Sequence, residues 1–168
     1  MQKLLTFVDF SDMTTLVMKA ANSIARAFQM KLLIMHVATP DAPYEGREFR
    51  ADTSPRSVAS EMRRMRRELR IMCLVSTKLG VDAKALLVRG TAPFGNPVPK
   101  MLSEVVRHRP ALIVMGIFGQ SRLREALLGS ASSAVVRKAK CPVLLIPHSA
   151  SKPVWPQDSE ERPGDRNK

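Results

Sequence analysis

The sequence predicts an α/β fold, in which a single doubly wound domain is built on a five-stranded parallel sheet of order 3-2-1-4-5 with helices on both faces. Short apolar segments alternate with longer ones whose apolar residues recur every three or four positions. Strands that are apolar along their whole length are typical of a parallel sheet covered by helices on both faces. With 168 residues, 45% of them hydrophobic, the chain is long enough to bury one such core.

The first half of the chain is predicted to form three strands and two helices. The strands are expected at residues 3–9, 31–37 and 81–89, and the helices at residues 13–28 and 58–79. Ser11 or Asp12 can cap the first helix, and Gly80 is a candidate C-cap of the second. Between the second strand and the second helix, residues 38–57 contain several prolines and show no hydrophobic periodicity. We therefore expect a long loop there that could act as a lid.

The second half continues the alternation after a segment rich in proline and glycine at residues 90–99. A helix is expected from Val98 or Lys100 to His108, followed by a strand at 111–115, a loop at 116–128, a helix at 130–138 and a strand at 142–146. Residues 148–168 combine three prolines with mixed charges and few large apolar side chains. We predict a domain over residues 1–147 and a disordered tail over 148–168.

The chain carries a net charge of +12, and its densest basic region lies in the second predicted helix. Its arginines are Arg63, Arg64, Arg66, Arg67 and Arg70, and an apolar stripe at helical spacing is formed by Met62, Met65, Leu69, Met72 and Leu79. We interpret this helix as packing its apolar stripe on the core with a solvated basic face. Nucleic-acid binding through that face is the less favoured interpretation, since aromatic residues are only 5% of the chain.

Several protein classes are not supported by the composition. No apolar run approaches the roughly 20 residues that a membrane-spanning helix needs. The first residues lack the apolar core and cleavage site of a secretion signal, so we expect a cytoplasmic protein without a membrane partner. Cys73 and Cys141 are far apart and have no metal-ligand spacing. Both are expected to be reduced structural residues.

A ligand of a doubly wound sheet binds beyond the carboxyl ends of the strands, where the strand order reverses. In the predicted order this point lies between the first and fourth strands. Asp9 ends the first strand, while Gly116 and Gly119 follow the fourth. Glycines at that place allow a ligand to approach the backbone closely. The sequence therefore predicts a binding crevice between these two strand ends.

A second candidate feature is the start of the helix at 130–138. Gly129 lets the backbone come close to a ligand, and the Ser130 hydroxyl can donate to a phosphate. The free N–H groups of Ala131, Ser132 and Ser133 and the helix dipole would also favour an anion. Arg122 and Arg124, in the preceding loop, could add positive charge. Ser130 as an ordinary N-cap is the alternative interpretation.

These motifs resemble those of the universal stress protein family. Residues 115–119 (MGIFG) and the Gly129-Ser130 pair match the spacing G-x2-G-x9-G-[S/T], and residues 141–147 (CPVLLIP) follow it. The segment 8–12 (VDFSD) and the pair His36-Val37 resemble the family as well. The resemblance covers about residues 1–147 and implies a cytoplasmic ATP-binding protein that acts in stress response or signalling. The implied homodimer joins through the last strand.

In the ATP-binding branch of that family, the resemblance implies a role for nine residues, with ATP bound with or without Mg²⁺. Asp9 and Val37 would lie on the adenine and ribose side, and Met115 and Gly116 along the ribose and α-phosphate. The residues implied around the phosphates are Gly119, Gly129, Ser130, Ala131 and Ser132.

An enzyme on the same architecture is the main alternative, such as an adenylyl transferase or a nucleotide hydrolase. The chain has no Gly-Lys-Ser/Thr phosphate loop, and its histidines, His36, His108 and His148, are isolated in the sequence. We interpret each histidine as structural or exposed. A flavin electron carrier and a nucleic-acid-binding protein are further alternatives, and the sequence does not identify the stress or the partner proteins.

Overall fold

The structure is a computed structural model that describes residues 1–39, 55–90, 96–117 and 129–147. It confirms the predicted fold: five parallel strands form one sheet in the order β3-β2-β1-β4-β5. The strands are β1 (Lys3–Phe7), β2 (Lys31–Ala38), β3 (Ala83–Arg89), β4 (Leu112–Gly116) and β5 (Val143–Ile146). The helices are α1 (Met13–Ala27), α2 (Pro55–Lys78), α3 (Val98–His108) and α4 (Ser130–Lys138).

The helices cover the two faces of the sheet and create two apolar cores. On one face, Leu4 and Leu32 of the sheet pack with residues of α1 and with Leu69 of α2. On the other face, Leu5 and Leu33 pack with residues of α3 and α4. Neighbouring residues of a strand point to opposite faces, which is why continuous apolar strands serve both cores. Helices therefore pack on both faces of the sheet at β1 and β4, the two strands between which the strand order reverses.

Element boundaries differ from the sequence prediction by a few residues. β1 ends at Phe7 rather than at residue 9, although the Val8 N–H still donates to the Met35 carbonyl at 2.9 Å. α2 begins at Pro55, three residues earlier than predicted, and β3 begins at Ala83 rather than residue 81. Helix α3 takes the earlier of its two predicted starts, Val98. A short apolar run in the sequence does not show at which residue the backbone hydrogen bonds of a strand end. The ends of strands and helices are therefore poorly predicted from the hydrophobic pattern.

Helix α2 confirms most of the predicted stripe and corrects one member. Met65 and Leu69 are buried, whereas Leu79 is 48% exposed. The reason is that α2 ends at Lys78 and the chain turns at Gly80, whose φ of +80° is the left-handed conformation expected of a glycine C-cap. Leu79 therefore lies beyond the helix and off its buried face.

The basic residues of α2 do not all behave alike. Arg64 is half-buried and pairs with Glu61 at 2.9 Å and Glu68 at 3.9 Å. The other arginines of the cluster, Arg63, Arg66, Arg67 and Arg70, are exposed. This arrangement agrees with a solvated face opposite a buried apolar stripe.

The start of α1 corrects the predicted cap. Asp12 occupies the N-cap position, but its side chain makes no capping hydrogen bond. The Asp9 carboxylate instead accepts from the Ser11 N–H at 3.0 Å and the Ser11 hydroxyl at 2.6 Å. The carboxylate that holds the junction between β1 and α1 is therefore that of Asp9, and not that of Asp12.

Several sequence predictions fall outside the described residues. They concern residues 40–54 of the expected lid, residues 118–128 of the loop with Gly119, Arg122 and Arg124, and the tail over 148–168. Cys73 and Cys141 are both half-buried free thiols, and burial raises the pKa of the Cys141 thiol. Within the described ranges, no helix is both long and apolar enough to cross a membrane.

Candidate functional site

A cavity of about 260 Å³ lies at the carboxyl ends of β1 and β4, where the strand order reverses. Its volume is close to the lower end of small-molecule sites, roughly 300 Å³. The structure brings eight of the nine predicted site residues to this cavity: Asp9, Val37, Met115, Gly116, Gly129, Ser130, Ala131 and Ser132. Gly119, Arg122 and Arg124 lie outside the described residues.

One end of the cavity is formed by the junction between β1 and α1. Asp9 is held there because its Oδ1 accepts both hydrogen bonds from Ser11, and the Thr14 hydroxyl lies 3.5 Å from the same oxygen. Phe10 has a φ of +60°, a left-handed conformation that costs a non-glycine residue roughly 1–2 kcal/mol. Such strain persists where the surroundings fix it, and it accompanies functional sites.

His36 supplies part of that fixation from the neighbouring strand. It is only 4% exposed, its Nδ1 lies 2.7 Å from the Val8 carbonyl oxygen, and its ring packs against Phe10 at 4.5 Å between centroids. Because a carbonyl only accepts, Nδ1 carries the proton. Burial lowers the pKa of His36, more than the Val8 carbonyl and the nearby carboxylates of Asp9, Glu68 and Glu61 raise it. The ring is therefore neutral at neutral pH.

The backbone N–H and C=O of Val37 point to the side of β2 on which β1 lies, at a level that β1 does not reach. In β2 the odd residues bond towards β1, as Lys31 does to Gln2 and Met35 to Val8. The even residues bond towards β3, as Leu32 does to Asp82 and Ala38 to Gly90. The Val37 N–H and C=O therefore point to the β1 side, where β1 has ended. No backbone group of the described residues pairs with them there.

The other end of the cavity is the start of α4. Gly129 is the N-cap in an extended conformation, so Ser130 is the first residue of the helix and not its cap. The Ser133 N–H donates to the Gly129 carbonyl at 2.9 Å. This corrects the predicted donor set, because the N–H groups left without helical partners are those of Ser130, Ala131 and Ser132. All three residues line the cavity.

Ser132 uses its hydroxyl within the protein. This buried hydroxyl lies 2.6 Å from the Ile117 carbonyl oxygen and 3.0 Å from that of Gly129. The Gly129 N–H also donates to the Ile117 carbonyl at 2.9 Å. The start of α4 is thus hydrogen-bonded directly to the residue that follows β4. These bonds hold Gly129, at the start of α4, close to Gly116, at the end of β4.

The structure adds cavity residues that the sequence pattern did not select. They are Phe7, Val8, Met13, Thr14, Val17, His36, Thr39, Pro97 and Met101. Six of the nine are apolar, and four of these, Phe7, Val8, Val17 and Met101, also belong to the two cores, so nothing in their spacing separates wall from core. His36 could have been selected, because a polar residue inside an otherwise apolar strand indicates a specific hydrogen bond.

The described side chains do not form a metal centre. No group of three or more His, Cys, Asp or Glu side chains in the described ranges is arranged to hold an ion. What the cavity combines is one carboxylate, a set of backbone donors at a helix start, and apolar walls. That combination suits a ligand with an anionic group at one end and an apolar, hydrogen-bonding group at the other.

Comparison with known families gives a match over most of the chain. A model described as "Universal stress protein family" matches residues 1–147. The universal stress protein YxiE of Bacillus subtilis is 30% identical over 152 residues, covering 86% of this chain and 97% of that protein. A universal stress protein of Thermus aquaticus is 30% identical over 139 residues, covering 82% of this chain and 93% of that protein.

Solved structures share the fold. UspA from Lactobacillus plantarum has a TM-score of 0.70 at 21% identity, covering 86% of this chain and 97% of that one. The Archaeoglobus fulgidus universal stress protein in complex with dAMP has a TM-score of 0.57 at 21% identity, covering 87% and 98%. An Arabidopsis thaliana family protein with AMP bound has a TM-score of 0.59 at 21% identity, covering 90% and 95%.

Proposed function

The chain belongs to the universal stress protein family, and we propose that it binds ATP, with or without Mg²⁺, in the cavity between the ends of β1 and β4. In this proposal the protein acts in stress response or signalling as a cytoplasmic homodimer, and its site carries no chemical step of its own. The adenine and ribose would lie at Asp9 and Val37, and the phosphates at the start of α4.

The observation that carries the proposal is the set of backbone donors at the start of α4. The N–H groups of Ser130, Ala131 and Ser132 have no helical partners, and these residues line the same cavity as Asp9. A helix start offers hydrogen-bond donors and a partial positive charge to an anion. The solved family proteins with AMP and dAMP support the choice of an adenine nucleotide.

The residues present also fit the nucleoside end of such a ligand. The Val37 N–H and C=O form a donor and acceptor pair that matches the ring nitrogen and amino group of adenine. Met115 and Gly116 also line the cavity and would lie along the ribose and α-phosphate. Mg²⁺ would take its ligands from phosphate oxygens and water, since the described side chains form no cluster that could hold a metal ion.

Equilibrium titration of the whole chain with ATP and GTP tests this proposal. We expect tighter binding of ATP, a loss of roughly tenfold or more in Gly129→Val, and a smaller loss in Ser130→Ala. Ser103→Ala, whose hydroxyl lies on the exposed side of α3, is the matched control and should bind as the unmodified protein does. Unchanged ATP affinity in both site variants would overturn the site, and steady multi-turnover phosphate release would favour the enzyme alternative.

The homodimer is proposed through β5, as the family resemblance implies. This strand lies at the edge of the sheet, pairs with β4 on one side, and carries no charged side chain. Leu144 is 38% exposed there, and such an edge favours pairing with another chain. Sedimentation should give a dimer for the protein and a monomer for Leu144→Lys, while a monomeric unmodified protein would contradict the assembly.

A further inference from the structure

We propose that His36 is a positioning residue that makes the site selective for adenine, by holding the Val8 carbonyl away from the Val37 N–H. This inference rests on the proposed ATP-binding function and adds to it a residue that the family motif does not assign. It starts from the hydrogen bonds at the place where β1 leaves the sheet.

The backbone hydrogen bonds between the β1 segment and β2 continue for one bond after β1 ends and then stop. The Val8 N–H donates to the Met35 carbonyl at 2.9 Å, and the regular pattern would next have Val37 donate to the Val8 carbonyl. The structure shows the Val8 carbonyl 2.7 Å from the Nδ1 of His36 instead. A side chain of β2 therefore donates to this carbonyl, and no bond from the Val37 N–H to it is found among the described residues.

The consequence concerns a donor and an acceptor on one residue. With the Val8 carbonyl held on His36, the Val37 N–H and C=O have no backbone partner on the β1 side within the described part of the chain, and Val37 lines the cavity. Adenine presents a ring nitrogen that accepts and an amino group that donates, which this pair satisfies. Guanine presents a ring N–H and a carbonyl at the same edge, so donor meets donor and acceptor meets acceptor. Polar groups left unpaired in a buried site are the strongest source of discrimination between ligands.

The surroundings of His36 keep this arrangement in place. The ring is buried, packs against Phe10, and is fixed in one tautomer by its bond to Val8. Phe10 itself has a positive φ of +60°. In the proposed role, the buried His36 ring and its hydrogen bond keep the Val8 carbonyl from turning to the Val37 N–H.

Two substitutions separate the hydrogen bond from the packing. His36→Leu fills space but has no donor, so the Val8 carbonyl is no longer held in its orientation and can turn to the Val37 N–H. His36→Asn places an amide nitrogen near the position of Nδ1 and keeps the donor. The first readout needs no ligand: the NMR scalar coupling across a hydrogen bond between the Val37 nitrogen and the Val8 carbonyl carbon. We expect no coupling in the unmodified protein and in His36→Asn, and a measurable coupling in His36→Leu.

The second readout is selectivity, measured as the ratio of GTP to ATP dissociation constants. We expect His36→Leu to lower this ratio roughly tenfold and His36→Asn to keep it within about twofold. Binding of inorganic triphosphate, which has no base, should not change in either variant. An unmodified protein that binds no ATP would overturn the proposed function. A protein that binds ATP with unchanged selectivity in His36→Leu would overturn only this role of His36.

The role stays testable even where His36→Leu does not fold. A Val37–Val8 coupling in the unmodified protein would contradict the inference directly, because the donor would already be occupied. His36→Phe, which keeps a ring against Phe10 without the donor, provides the same selectivity test.

Discussion

The two ends of the cavity are built from different parts of the chain. At the end proposed to hold the nucleoside (the nucleoside end), side chains hold the backbone in place: Asp9 accepts from Ser11, and His36 donates to Val8. At the end proposed to hold the phosphates (the phosphate end), the backbone itself offers the donors, and the Ser132 hydroxyl ties the helix start to Ile117. In the proposed site, selectivity for a base would therefore depend on side chains that position the backbone, whereas anion binding would depend on the geometry of a helix start.

The largest effect is expected at the nucleoside end, in Asp9→Ala. This change removes the acceptor of both Ser11 hydrogen bonds, so the junction between β1 and α1 loses its order together with the carboxylate of the site. We expect ATP affinity to fall at least tenfold and the free energy of unfolding to fall by about 1–2 kcal/mol. Titration calorimetry and denaturant unfolding measure the two quantities.

Asp9→Asn is the matched control for that substitution. It keeps an oxygen for Ser11 but removes the charge, so the protein should unfold almost as the unmodified chain does. Equal loss of stability in both Asp9 variants would show that the hydrogen bonds from Ser11 are not what the carboxylate contributes.

A smaller effect is expected at the phosphate end, in Ser132→Ala. The substitution removes a buried hydroxyl that lies 2.6 Å from the Ile117 carbonyl oxygen, although the Gly129 N–H still donates to that oxygen. We expect a stability loss of about 1 kcal/mol and a loss of ATP and inorganic triphosphate binding of roughly threefold.

Ser130→Ala provides the comparison on the same helix turn. Its hydroxyl is exposed, so its removal should weaken ATP binding without lowering the unfolding free energy. If Ser132→Ala left stability unchanged, the tie between Ile117 and α4 would not be what holds the phosphate end.

The smallest effect on binding is expected in Glu104→Gln, because Glu104 is not among the residues that line the cavity. Glu104 is 3% exposed and lies 2.9 Å from Lys100, 3.3 Å from His108 and 3.7 Å from Arg107. Burial raises the pKa of this carboxyl, but the hydrogen bond and charge of Lys100, with Arg107 and His108, outweigh it and lower the pKa below its ordinary value. We expect unchanged ATP affinity and a stability loss of about 2 kcal/mol at pH 7.

The pH dependence of that loss gives the sign of the Glu104 contribution. A carboxyl whose pKa is lower in the folded state stabilises the protein above its ordinary value near pH 4.5. The contribution disappears as the pH falls through the lower, folded value. The difference between the unmodified protein and Glu104→Gln should therefore shrink as the pH falls below about 5. A difference that grew as the pH fell below about 5 would contradict the ion pairs.

The comparison also shows what the sequence could and could not predict. Sheet order and the position of the cavity were predictable because strand hydrophobicity, crossover handedness and the switch-point rule leave few alternatives. The donors at α4 were predicted one residue too far along, because Gly129 and not Ser130 is the N-cap. The spacing of a motif does not say which residue begins a helix.

His36 shows the second limit. Sequence reasoning interpreted it as structural or exposed, and it is indeed buried with a backbone partner. Its importance depends on which carbonyl it meets, and Val8 lies 28 residues away in the sequence. Leu79 was placed on the buried stripe of α2 for a related reason, since the apolar periodicity of the sequence continues past Lys78, where α2 ends.

The most direct test of the account is a competition between the two purine nucleotides. The purified chain is incubated with equal concentrations of ATP and GTP, unbound nucleotide is removed, and the retained nucleotide is extracted and identified by mass. The account predicts that an adenine nucleotide dominates and that Gly129→Val retains much less of it. Equal retention of ATP and GTP, or retention of neither, would contradict the claim that this cavity is an adenine-nucleotide site.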